Sequence, residues 1–247
     1  MGTDPRVRGG GQDGPLLLLL HGLGATGDVW AGWADPLARH WAGRRLAPDL
    51  PGHGRSPELP EYTFDALAEA LIPLLAPEDR PVVLGHSLGG VVALALAARV
   101  PVSAVVGLGV KVTWSEDDLA RAAALARRPV TWFDTREEAV ERHLRLSGLS
   151  GLVTTDSPAA TSGVREEAGR WRPALDPRAF GVGAPDMAAL LRHANTEVCL
   201  ARGADDPMNT DEQLKQFGVP VVTLPGLGHN AHVESPAACL SLLDPYR

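Results

Sequence analysis

The sequence predicts an α/β fold, a mostly parallel sheet flanked by helices, interrupted late by a helical insertion. Three observations carry this. Short apolar runs recur, each followed by a loop and then a segment with apolar residues at helical spacing. The runs lack polar alternation, as strands buried on both faces do. The rhythm disappears between about residues 113 and 194 and returns at Glu197. A chain of 247 residues suits one such domain with an insertion, or at most two small domains. The expected division is a core of residues 1–112 and 195–247 and a helical cap of residues 113–194.

Taken in order, residues 1–15 are rich in glycine, proline and charge, with one short strand expected at Arg6-Val7-Arg8. Leu16 to Leu20 reads as a buried parallel strand, and His21-Gly22-Leu23-Gly24 opens a glycine-rich loop. Asp28 is placed as the N-cap of a helix running to about Trp41. Leu46 to Leu50 forms a short strand ending in the breaker-rich turn Pro51-Gly52-His53-Gly54-Arg55-Ser56. Phe64 to Leu75 is a helix, and the run at Val82 leads into a second helix after Ser87. Val102 to Val112 is the next strand. The insertion holds helices at Ser115–Arg128, Asp134–Leu146 and Ala184–Ala194, with a loose stretch near Gly148–Gly163 and no clear strand. Strands at Glu197–Ala201 and Val219–Leu224 and a helix over Pro236–Leu243 complete the core.

Composition narrows the function. Hydrophobic residues make up 45% and charged residues 21%, the balance of a globular protein that buries a core. A net charge of −7 with no basic stripe argues against nucleic acid and anionic membrane surfaces as partners. Cys199 and Cys239 lie in apolar stretches without C-x-x-C spacing, so they read as buried thiols. Leu16–Leu20 is too short to span a bilayer, and the polar stretch before it does not resemble a secretory signal. A cytoplasmic location is expected.

The chemistry-bearing stretch is Gly85-His86-Ser87-Leu88-Gly89, a G-x-S-x-G placed where an apolar strand turns into a helix. Such a turn holds a serine in a strained conformation with its hydroxyl exposed beside a helix N-terminus. With 27 glycines in 247 residues, ten serines produce one chance match about a tenth of the time, so the pentapeptide alone is weak. Its strand-to-helix context strengthens it. A serine becomes nucleophilic when a base takes its proton, and the base needs a carboxylate to hold its tautomer. Two carboxylates, Asp205 and Asp206, follow the strand at Val198, and His229 follows the strand at Val221. The order is Ser, Asp, His.

Together with His21-Gly22-Leu23-Gly24, Asp49-Leu50-Pro51-Gly52-His53-Gly54-Arg55-Ser56, Gly203-Ala204-Asp205-Asp206-Pro207 and Gly228-His229, these residues resemble the α/β-hydrolase family, of the serine esterase, enol-lactonase and C–C hydrolase type. The resemblance runs through the whole core in the family's order. It implies an α/β-hydrolase fold with a helical lid after the sixth strand. It implies Ser87 as nucleophile, Asp206 rather than Asp205 as acid, and His229 as general base. It also implies an oxyanion hole from the backbone N–H groups of Leu23 and Leu88, and structural roles for His21 and His53. No cofactor is implied. Only about twenty residues precede His21, so the family's usual first strand pair is short or partly missing.

Blander accounts stand beside these. His229 and His232 form H-x-x-H, but no third ligand has sensible spacing, so no metal is expected and His232 is placed against the final helix. His86, Trp114 and Trp132 are taken as pocket residues, although aromatics in an insertion more often serve its core. Lys111 admits two readings, a ligand for a carboxylate in the pocket or a surface lysine laying its stem on apolar neighbours. The leading function is hydrolysis of a small carboxylic ester or lactone with an apolar acyl part. C–C cleavage of a 1,3-diketone-like compound, acyl transfer, and a slow-turnover ligand receptor are the competing readings. Oligomeric state leaves no trace in the sequence.

Overall fold

A computed structural model describes residues 9–10 and 14–247. The strand expected at Arg6–Arg8 lies outside the described residues. The strands are β1 (Gly9–Gly10), β2 (Leu17–Leu20), β3 (Arg45–Leu46), β4 (Val82–His86), β5 (Ala104–Leu108), β6 (Val164–Glu167), β7 (Arg170–Pro173), β8 (Glu197–Gly203) and β9 (Val221–Leu224). Helices α1 (Ala34–His40), α2 (Phe64–Glu69), α3 (Leu88–Ala97), α4 (Glu116–Ala126), α5 (Arg136–Leu146), α6 (Pro158–Thr161), α7 (Met187–His193), α8 (Asp211–Lys215), α9 (Ala231–Glu234) and α10 (Pro236–Leu240) alternate with them.

The main sheet has the order β1-β3-β2-β4-β5-β8-β9, parallel except for β1, which pairs antiparallel with β3 at one edge. Its apolar runs are continuous because both faces are covered. Leu17 and Leu19 of β2 and Val82 and Leu84 of β4 enter one core with Trp30, Trp33 and Leu37. Leu18, Leu20, Val83 and Val105 enter the other with α3 and α2. Successive side chains of a strand point to opposite faces, so one run feeds both cores. Helix α3 is buried along its whole length, consistent with a sequence apolar on every side.

From β2 the chain moves outward to β3 and then returns past β2 to β4. The strand order therefore reverses between β2 and β4. Open α/β sheets bind ligands outside the carboxyl ends of the strands at such a reversal. The loop at His21 and the turn at Ser87 both emerge there.

Several elements differ from expectation. The segment after β2 begins as a 3₁₀ helix, Gly27–Trp33, and Asp28 lies buried inside it while Thr26 takes the N-cap position. The Gly27 N–H is already held by Asp49 Oδ1 at 2.8 Å, so the first turn is tied to β3's loop rather than to a cap. Residues 113–194 follow the fifth described strand, one fewer than the six expected. They are not wholly helical. A hairpin of β6 and β7 turns at Ala168 and Gly169, both at positive φ (52° and 79°), and Phe133 bridges to Trp171. Its first strand, Val-Arg-Glu-Glu, has a single buried apolar residue, Val164, and exposed glutamates at both of its last two positions, so it carries little apolar signal. The capping boxes Ser115/Asp118 and Thr135/Glu138 start α4 and α5 where the sequence places helices. No helix among the described residues is long and apolar enough to cross a membrane.

Candidate active site

Ser87 occupies the turn between β4 and α3 with φ 50° and ψ −113°, a strained backbone for a residue with a side chain. The turn is possible because strand and helix nearly touch. A Cβ on Gly85 falls 2.2 Å from the Gly89 carbonyl oxygen, and one on Gly89 falls 2.4 Å from that of Leu20. The Ser87 N–H donates to the Leu108 carbonyl at 2.8 Å, tying the turn to β5. Leu88 begins α3, so its N–H has no acceptor within the helix.

Asp206 lies just beyond β8 and His229 just beyond β9. Asp206 is buried, its side chain fully so, whereas Asp205 is exposed to solvent. Asp206 Oδ2 accepts from His229 Nδ1 at 3.0 Å, and its Oδ1 accepts from the Met208 N–H at 2.8 Å. Both oxygens are thus used, and His229 keeps only Nε2 for another partner. Ser87 and His229 line one cavity of about 300 Å³, with Leu23, His86, Lys111, Trp114 and Arg145 among its walls. A smaller, mostly apolar pocket of about 70 Å³ also borders Ser87; it shares Leu23, Lys111 and Trp114 with the first and is bounded further by Phe64, Leu88, Val91, Val182 and Pro185.

The histidines around the site are kept neutral by burial. Desolvation drives the pKa of His86 well below its ordinary value, with the neighbouring imidazoles of His232 and His229 adding to the effect. Neutral His86 donates from Nε2 to the His229 carbonyl at 2.9 Å, which ties the His229 loop to the residue beside Ser87. Desolvation lowers His232 to about 3, and its ring packs 4.6 Å from Trp30 and 4.2 Å from His86. His21 is lowered to about 4, mainly by burial; its Nε2 accepts from the Leu50 N–H and its Nδ1 donates to the Gly22 carbonyl. His53, lowered to about 3 chiefly by burial, donates from Nδ1 to the Pro51 carbonyl. Among the described residues no group of three or more His, Cys, Asp or Glu is arranged to hold a metal.

Trp114 borders both cavities, with its Nε1 donating to the Lys111 carbonyl at 3.1 Å. Trp132 is a correction. It lines neither cavity that Ser87 borders, and its ring carries the Arg172 guanidinium at 5.6 Å in the hairpin region. Lys111 faces both cavities, while its ammonium pairs with Asp118 at 2.8 Å and lies 4.8 Å from the Trp114 ring. Arg145, Met208 and Asn230 were not legible as site residues. Arg145 falls in the last turn of α5, where a cation has an ordinary role toward the helix dipole. Asn230 donates to the Gly148 carbonyl at 3.0 Å, joining the His229 loop to the inserted segment.

A family model described as the alpha/beta hydrolase family matches residues 17–242. The magnesium-chelatase 30 kDa subunit of Rhodobacter capsulatus is 43% identical over 103 residues, covering 40% of this chain and 36% of that protein. A pimeloyl-[acyl-carrier protein] methyl ester esterase of Chromobacterium violaceum is 44% identical over 91 residues, 36% of this chain and 33% of that protein. The matched part thus spans about a third of the length of these curated relatives. The crystal structure of E-2-(acetamidomethylene)succinate hydrolase superposes with a TM-score of 0.80 at 22% identity, covering 97% of this chain and 93% of that one. At that identity the likeness shows the fold alone.

Proposed function

Because the chain belongs to the α/β hydrolase family, we propose that it is a serine hydrolase that cleaves a small carboxylic ester or lactone through an acyl-enzyme. The observation that carries this reading is the buried Asp206 carboxylate holding His229 Nδ1 at 3.0 Å, with His229 and the strained Ser87 bordering one cavity. In this scheme His229 Nε2 takes the Ser87 proton as Oγ attacks the carbonyl carbon. Asp206 keeps the imidazole in the Nδ1–H tautomer and stabilises the imidazolium. The N–H groups of Leu23 and Leu88 hold the oxyanion. His229 returns the proton to the leaving oxygen, and water then releases the acyl group by the same steps in reverse.

Residues 113–194 act in this reading as the lid, since Trp114, Arg145 and Val182 supply walls to the cavities beside Ser87. The partner is a small molecule with an apolar acyl part, and the cytoplasm is the proposed setting. The direct test is intact mass and peptide mapping after treatment with a fluorophosphonate. One adduct on Ser87, absent from Ser87→Ala, is the expected result. A folded protein that takes no adduct refutes the activated nucleophile and moves the ligand-receptor reading to the front.

A further inference from the structure

The two cavities beside Ser87 differ in size and chemistry. The pocket of about 70 Å³ is walled by Phe64, Val91, Val182 and Pro185, shares Leu23, Lys111 and Trp114 with the larger recess, and includes neither His229 nor Arg145. An apolar cavity of about 150 Å³ accommodates benzene, so a volume half that size takes a group of only a few carbons. The recess of about 300 Å³ includes His229, and its charged lining consists of Lys111 and Arg145, with no carboxylate among its lining residues.

The position of His229 decides which side of an ester enters which cavity. The general acid must reach the oxygen of the departing alcohol. The alcohol portion therefore lies in the recess that His229 borders, and the acyl chain in the small pocket. Lys111 is already paired with Asp118, so its charge is largely balanced. Among the described residues Arg145 is held only by an i,i+4 contact to Glu141 at 3.6 Å, and both side chains are more than half exposed (56% and 64%). Such exposed helix pairs are weak. The Arg145 guanidinium is therefore available to a bidentate anion.

Resting on the serine-hydrolase reading above, we infer that the substrate is a short-chain acyl ester whose alcohol portion carries an anionic group, a carboxylate or a phosphate, bound by Arg145. Ser87 Oγ forms the bond to the acyl carbon, and the carbon–oxygen bond to the alcohol breaks. The Ser87 proton passes through His229 to the departing oxygen, so the alcohol leaves with that oxygen as a hydroxyl and with its separate anionic group still ionised. Water then splits the acyl-enzyme into a short carboxylic acid and free Ser87.

The test compares 4-acetoxybenzoate with its neutral methyl ester in the wild-type chain, Arg145→Gln and Arg145→Lys. The ratio of kcat/KM for the anionic over the neutral ester is expected to fall about tenfold or more in Arg145→Gln, and Arg145→Lys to restore part of it. Taking this ratio in each variant cancels the intrinsic reactivities of the two leaving groups. Extending the acyl group of 4-acetoxybenzoate from two to eight carbons is expected to reduce kcat/KM. The hemisuccinate of 4-nitrophenol, with its anion on the acyl side, is expected to be poorer than the butyrate. An unchanged ratio in Arg145→Gln, on a protein whose Ser87 takes the fluorophosphonate, overturns the anion site and leaves the hydrolase reading standing. Preference for the hemisuccinate overturns the orientation. Absence of both labelling and turnover removes the hydrolase reading, and this inference with it.

Discussion

Acidification should unfold this protein well before its carboxylates are neutralised. His21, His53 and His232 are buried, and desolvation lowers them to about 4, 3 and 3. In the unfolded chain each returns to a pKa of about 6.5. Below that value the unfolded state binds protons that the folded state refuses, so stability falls as pH falls. All three folded values lie at least a unit below pH 5, so uptake at that pH belongs almost wholly to the unfolded chain. Going from about pH 7.5 to about pH 5 then costs about 2 kcal/mol per histidine, or roughly 6 kcal/mol for the three. His86 and His143, also lowered by burial, add to the same side. Against a total stability of about 5–15 kcal/mol, most of the margin is gone by about pH 5. Guanidinium titrations at a series of pH values, followed by the fluorescence of buried Trp30 and Trp33, measure this directly. His232→Leu, which removes a ring whose two nitrogens have no hydrogen-bond partner among the described residues, should flatten the slope by about 1.4 kcal/mol per pH unit. Stability that stays level from about pH 6.5 to about pH 4.5 would refute the reasoning, since some of these imidazoles must then be protonated in the fold.

Other substitutions test the site and its frame. Asp206→Asn should lower kcat for a small ester by about 10⁴-fold, because the amide favours the wrong tautomer of His229. The exposed Asp205→Asn should change it by less than about twofold, and steady-state kinetics of the pair decides between the two carboxylates. Gly85→Ala places a Cβ against the Gly89 carbonyl at 2.2 Å, and a loss of about 3 kcal/mol or more is expected in denaturant melts. Ser115→Ala removes the α4 capping box and should cost about 1 kcal/mol in the same assay, with little effect on fluorophosphonate labelling of Ser87.

The α/β class, the strand at Leu17–Leu20 and the turn at Ser87 were legible because parallel strands buried on both faces are unbroken apolar runs, and a strand-to-helix turn needs its glycines next to the serine. Those signals sit within a few residues of one another, where local sterics and backbone chemistry act. The hairpin at Val164–Pro173 was not legible. Its exposed Arg and Glu carry no period, and the pairing is held by contacts such as Phe133 with Trp171, 38 positions apart in the chain. The same holds for the walls of the cavity. Trp114 and Trp132 look alike as letters, yet one borders Ser87 and the other lies beneath Arg172. Order along the chain was enough to propose Ser87, one of Asp205 and Asp206, and His229, since each follows the end of a strand in a parallel sheet; the choice of Asp206 came from the family resemblance. The burial of Asp206 beside exposed Asp205, and the place of Arg145 among the walls of the recess, depend on how distant segments pack, for burial and electrostatic field are sums over neighbours in space rather than along the sequence.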